Sequence, residues 1–195
     1  MSAQTGLPIA GVTALVTGAN RGLGRAFVNA LLDRGARRVY ATARSRDSIQ
    51  IDDERVVSWG IDITDESEVR SAAKTFGDTT LLINNAGVMR GWPFTTAPDM
   101  DAARAEMETN YFGTLSMSRE FASVLARNGG GALVNVLSVA SFLAMPFNAS
   151  YGASKSAEWA LTNGLRVELH SQGTMVIGVH AGFIDTDMAS NVQRH

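Results

Sequence analysis

The chain has 195 residues, 45% hydrophobic and 18% charged, with a net charge of −2 and no cysteine. That length suits one domain over residues 1–195, and the charge gives no reason to expect a nucleic acid or a membrane surface as partner. Without cysteine there is no disulfide, thiolate metal site or cysteine nucleophile, and with no basic start typical of a secretory signal the expected compartment is cytoplasmic.

Strand and helix patterns alternate along the chain. Residues 12–17 are a compact β-rich run. From Gly22 the spacing of Leu23, Phe27, Ala30 and Leu31 predicts a helix that ends at Gly35. Strands follow at 38–42 and 55–59, a helix at 66–76 and a buried strand at Leu81-Leu82-Ile83. Residues 99–127 read as mostly helical, in one piece or in two near Asn110. A strand at 133–137, a helix at 153–170 and a strand at 175–180 complete the series. Strands that alternate with helices argue for a parallel sheet covered on both faces. The stretches 87–98 and 139–150 read as loops, both unusually apolar. The longest apolar stretch, 131–147, is broken by Asn135, Ser138, Ser141 and Pro146, and is too short and too polar to span a bilayer.

Between the first strand and the first helix stands Thr17-Gly18-Ala19-Asn20-Arg21-Gly22-Leu23-Gly24. Glycines let a backbone turn tightly and approach a pyrophosphate, while the helix N-terminus offers free amides and a positive dipole end. The spacing departs from the usual dinucleotide fingerprint, so the position of the run carries the argument. An NAD site places an acid about 20 residues beyond the glycines, on the ribose hydroxyls. The second strand instead ends Tyr40-Ala41-Thr42-Ala43-Arg44. Arg44, with Arg21, suits a 2′-phosphate, so NADP(H) is favoured over NAD(H). Taken singly, both arginines also fit solvated surface charges.

Tyr151 and Lys155 stand at i and i+4 in Tyr-Gly-Ala-Ser-Lys, with Ser138 upstream. On a helix the phenol and the ammonium would share a face. A free phenol titrates near 10, and bringing it to roughly 7 requires about 4 kcal/mol. One cation about 4 Å away, at an effective dielectric near 20, supplies about that much. Alone, the pair is better read as an exposed Tyr and Lys on a helix surface, since so short a pattern often arises by chance.

These motifs, in this order, with Asn84-Asn85-Ala86-Gly87 and Asn110 between them, resemble the short-chain dehydrogenase/reductase family in its compact single-domain branch. The resemblance runs from residue 12 to 188. It implies a Rossmann-type doubly wound parallel sheet in three layers. It also implies an NADP(H)-dependent carbonyl reductase that interconverts a ketone or aldehyde and an alcohol. Tyr151 would be the general acid or base, Lys155 would acidify it and hold the nicotinamide ribose, and Ser138 would bond the substrate oxygen. Asn110 would hold a water in a proton relay. The cofactor would be bound by Gly18, Asn20, Arg21, Gly22, Leu23, Gly24, Arg44, Asp62, Ile63, Asn84, Ala86, Gly87, Tyr151, Lys155, Gly182, Ile184 and Thr186, with Asn85 mainly structural. No metal is expected.

Two features depart from the family pattern. Ala181-Gly182 stands where the family usually has Pro-Gly. The chain ends at His195, where the family continues through a substrate lid, a helix and a seventh strand, so the sheet is expected to lack its last strand. Met89, Met145, Phe147 and Phe183, with Trp92, Phe94, Phe142 and Leu143, fall in loops that should border the nicotinamide and point to an apolar substrate; packing of the domain is the other reading of them. Small residues on the helix after Tyr151 fit a homodimer or homotetramer. The alternative from another class is an NADP-binding regulator or scaffold with little catalysis.

Overall fold

A computed structural model describes residues 6–145, 147–182 and 184. Six strands, β1 (Thr13–Thr17), β2 (Arg38–Ala43), β3 (Val56–Gly60), β4 (Leu81–Asn84), β5 (Ala132–Ser138) and β6 (Met175–Ala181), form one sheet in the order β3-β2-β1-β4-β5-β6. Every strand pair is parallel. The expected three-layer α/β fold is the observed one.

Register follows from the alternation of side chains across the pleat. Tyr40, Leu15, Leu82, Leu133 and Val176 are successive partners across five strands. All five are buried in one core, against α2 (Glu66–Thr75), α4 (Thr114–Arg127) and α5 (Ala149–Glu168), which contribute Val69, Phe121 and Leu165 among others. One residue away along each strand, Val39, Ala14, Leu81 and Ala132 make the matching row on the opposite face. That row packs with Val28, Leu31 and Leu32 of α1 (Gly22–Asp33). Because the central strands are buried on both faces, they read as continuous apolar runs. On β6, Val176 joins the first core, while Met175, Ile177 and Val179 on the other side of the strand are exposed.

The long helical stretch near Asn110 is not split in two. A short helix α3 (Asp101–Glu106) runs through a π-helical segment (Met107–Gly113) into α4. Gly113 permits close packing there, since a Cβ on it would stand 2.7 Å from Ile63 Cδ1. Helix α5 begins at Ala149, four residues before the expected start, with Asn148 as its N-cap. Tyr151 therefore lies in its first turn.

Strand order reverses between β1 and β4. In open parallel sheets this switch point leaves a crevice at the carboxyl ends of the strands, where ligands bind.

Candidate active site

A cleft of about 570 Å³ occupies that crevice, within the usual range of roughly 300–1,000 Å³ for small-molecule sites. Its walls come from the loops after all six strands.

At one end lies the glycine loop. Gly18 has φ 64°, a left-handed conformation that favours glycine. Gly24 permits a close approach, since a Cβ there would stand 2.1 Å from Gly18 O. The β4 loop braces the turn from behind. Asn85 Nδ2 donates to Thr17 O at 2.9 Å and Gly18 O at 3.2 Å, and the Asn85 and Ala86 N–H groups both donate to Thr17 Oγ1 at 3.0 Å. Arg21, the α1 N-cap, makes no side-chain cap hydrogen bond, and the first turn of α1 carries no acid. The N-cap side chain thus leaves the first amides of α1 uncapped at a cleft suited to an anion.

Arg44 and Ser45 follow β2 at the rim, beside Ile61, Asp62 and Ile63. The Asp62 carboxylate is held by Thr64, whose N–H and hydroxyl donate to Oδ1 at 3.0 and 2.7 Å. No acid stands at the end of β2, as an NAD-type ribose contact would require.

At the other end are Ser138, Tyr151 and Lys155. Ser138 caps a 3-10 turn (Val139–Ser141) by accepting from Ala140 N–H at 3.1 Å, so its own O–H is still available to donate. Ser141 Oγ donates to Ser138 O and lies 3.0 Å from His180 Nδ1, which ties β5 to β6 beneath the serine. Tyr151 and Lys155 are both buried, and Lys155 Nζ is 6.0 Å from the centre of the Tyr151 ring. The ammonium donates to Val136 O at 2.8 Å and to Glu158 Oε2 at 2.6 Å. Burial by itself would lower the Lys155 pKa; the Glu158 carboxylate, then Tyr151, outweigh it and hold the pKa above the ordinary lysine value.

Most residues expected at the cofactor cleft line it: Gly18, Asn20, Arg21, Gly22, Leu23, Gly24, Arg44, Asp62, Ile63, Ala86, Gly87, Gly182 and Ile184, together with Ser138, Tyr151 and Lys155. Thr186 and Phe183 lie outside the described residues. Asn84 does not reach the cleft. Its Nδ2 is turned into the core, toward Asn135 Oδ1 at 2.9 Å and Ser118 Oγ at 3.2 Å. Asn110 lies behind the wall. Its amide pairs with both backbone groups of Val88, accepting from N at 2.8 Å and donating to O at 2.9 Å, and also donates to Ser154 Oγ at 2.9 Å. The Asn110 side chain thus braces the β4 loop against α5, and the π segment is what turns it inward.

Of the eight apolar loop residues, Met89 and Met145 line the cleft, while Trp92, Phe94, Phe142, Leu143 and Phe147 are exposed outside it. Phe142 packs instead on Trp159 and His180, with ring centroids at 4.5 and 4.1 Å.

Sequence reasoning missed the role of Thr17, which anchors the β4 loop, and missed Asn148, which lines the cleft, and Glu158, the partner of Lys155. An acid three residues after a helical lysine was a readable signal for Glu158.

A family model described as short chain dehydrogenase matches residues 12–195, and the chain belongs to that family. A short chain dehydrogenase from Burkholderia cenocepacia J2315, solved in complex with NADP, is 50% identical with a TM-score of 0.93, over 95% of this chain and 78% of that one. A gluconate 5-dehydrogenase from the same organism, in complex with NADP and tartrate, is 27% identical with a TM-score of 0.88, over 95% of this chain and 76% of that one. The NADPH-dependent 1-acyldihydroxyacetone phosphate reductase of Schizosaccharomyces pombe is 33% identical over 90% of this chain and 61% of its own length. The expectation of NADP(H) thus agrees with the cofactor bound in similar structures. No helix among the described residues is long and apolar enough to cross a membrane.

Proposed function

We propose that the chain is an NADP(H)-dependent oxidoreductase that interconverts a small-molecule carbonyl and its alcohol, with Tyr151 as the acid–base group. The observation that carries this reading is the convergence of Ser138, Tyr151 and Lys155 on the same cleft as the glycine loop and Arg44. The cradle fits a dinucleotide phosphate: the Arg21 side chain does not cap α1, Gly24 brings the helix close to the turn, and Arg44 in the same lining would offer its charge to a 2′-phosphate. When bound, NADPH would supply the hydride that the carbonyl carbon accepts.

In this reading the Ser138 hydroxyl donates to the carbonyl oxygen and fixes its position. As the carbon gains the hydride, the Tyr151 phenol passes its proton to the same oxygen, leaving alcohol and phenolate, which solvent reprotonates. The Lys155 ammonium stabilises that phenolate and holds the cofactor ribose. Oxidation runs the same steps backwards. Met89 and Met145 favour a substrate with an apolar group beside its carbonyl. Association of two copies through α5 belongs to the same proposal, because Trp159 and Val167 are exposed there; sedimentation that returned only a 20.7 kDa species would remove that part.

The test is NADPH oxidation followed by absorbance against a panel of apolar and polyhydroxy carbonyls. Tyr151→Phe should lower turnover by about 100-fold to 10,000-fold while leaving NADPH affinity within about threefold. Equal turnover in the variant would refute the assignment of Tyr151. Tight NADPH binding by the unaltered protein with no turnover on any carbonyl would favour a regulatory role.

A further inference from the structure

Helix α5 carries a buried carboxylate that the proposed chemistry does not require. Glu158 and Lys155 lie one turn apart, and their side chains are 1% and 5% exposed with Nζ and Oε2 at 2.6 Å. A lone carboxylate in this position would be unstable, and so would a lone ammonium; each is tolerable there because of the other. An ammonium has three N–H donors. Val136 O on β5 takes one and Glu158 takes a second, which leaves one for the cleft side, where Gly87 and the Tyr151 ring lie. The uncharged Thr114 hydroxyl of α4 lies on the Glu158 side of the pair. Among the described residues, the titratable groups that act on Lys155 are Glu158 and Tyr151, both on α5. What β5, the β4 loop and the π segment bring near it is uncharged: the Val136 carbonyl, Gly87 and Asn110.

We propose that Glu158 is a positioning residue that keeps Lys155 charged and clamps it so that one N–H remains for ribose and phenol. The inference rests on the oxidoreductase reading of the same site, and it extends that reading in one respect. The cation beside Tyr151 is half of a buried neutral pair, so its carboxylate sets how far into alkaline pH Lys155 stays charged. In Glu158→Gln the amide still accepts a hydrogen bond but carries no charge. Lys155 then bears its burial uncompensated and gives up its proton at lower pH. Above that pH a phenolate at Tyr151 has no cation beside it. Glu158→Asp restores the charge one methylene further away.

The chain has only two lysines, Lys74 and Lys155, so side-chain labelling with ε-carbon-13 lysine gives two resonances, assigned with Lys74→Arg. The expected results are a Lys155 titration above the ordinary lysine value in the unaltered protein, a fall by about one pH unit or more in Glu158→Gln, and partial recovery in Glu158→Asp. Superimposable Lys155 titrations in the unaltered protein and Glu158→Gln would overturn the proposal, since a merely structural Glu158 would leave them unchanged. If Glu158→Gln does not fold, the unaltered protein decides: Lys155 titrating at or below the ordinary lysine value overturns the proposal, and above it supports it. The resonance needs no substrate, so absence of turnover would sink the oxidoreductase reading without touching this measurement.

Discussion

Replacement of Gly24 by Ala tests how tightly the first helix must approach the glycine turn. A Cβ there would stand 2.1 Å from Gly18 O, 2.8 Å from Gly18 C and 2.5 Å from Asn85 Nδ2. Ordinary heavy-atom contact is roughly 3.5 Å, so helix and turn must part by about 1 Å or more. The turn cannot retreat freely. A Cβ on Gly18 would itself be 3.0 Å from Ala86 Cα, and the Gly18 carbonyl is bonded to Asn85. Parting breaks the Asn85 bonds to Thr17 O and Gly18 O, which contribute about 1 kcal/mol each. Overpacking adds about 1–3 kcal/mol, so Gly24→Ala should lose about 3–5 kcal/mol of stability. The same movement displaces the first amides of α1 from any phosphate they hold, and NADPH affinity should fall by roughly 100-fold, or about 2.7 kcal/mol. Urea unfolding by circular dichroism reads the first effect and NADPH fluorescence titration the second. A variant with the original unfolding midpoint and an NADPH affinity within about threefold would refute the reasoning, because it would show that the turn has slack.

Two further substitutions probe cofactor choice and the seat of α5. Arg44→Ala should weaken NADPH binding by about 10-fold to 100-fold, the value of one charge-assisted hydrogen bond. NADH binding should be unaffected, and equal losses for the two cofactors would remove Arg44 from 2′-phosphate recognition. Asn135→Ala removes the buried link between Asn84 Nδ2 and Thr162 Oγ1, bonded at 2.9 Å each. The expected loss is about 2–3 kcal/mol in denaturant unfolding, with the NADPH affinity reduced because α5 is tied to β5 there; a loss below about 1 kcal/mol would mean that the polar link is replaceable by packing.

The strands were legible because burial on both faces forces apolar runs, and the glycine turn because only certain residues permit its backbone. The start of α5 was harder to see. Gly152 reads locally as a helix breaker, yet its N–H donates to Asn148 O at 3.0 Å inside the first turn. The apolar loops misled for a related reason: Phe142 and Phe147 are apolar in sequence whether they face the cleft or solvent, and their direction is set by what packs beside them. Asn110 and Asn84 carry the same chemistry as cleft residues. Only the π segment and the sheet register turn them toward Val88 and Asn135 instead.

By itself the sequence determined the alternation of strands and helices, the turn before α1, the absence of an acid after β2, and the set of groups able to move a proton. Those depend on side-chain chemistry and on spacing within a single element. Tertiary structure decided which of those groups meet. It placed Ser138, Tyr151 and Lys155 in one crevice, because the strand order reverses between β1 and β4. It also joined Lys155 to Glu158, because burial leaves neither charge a partner in water.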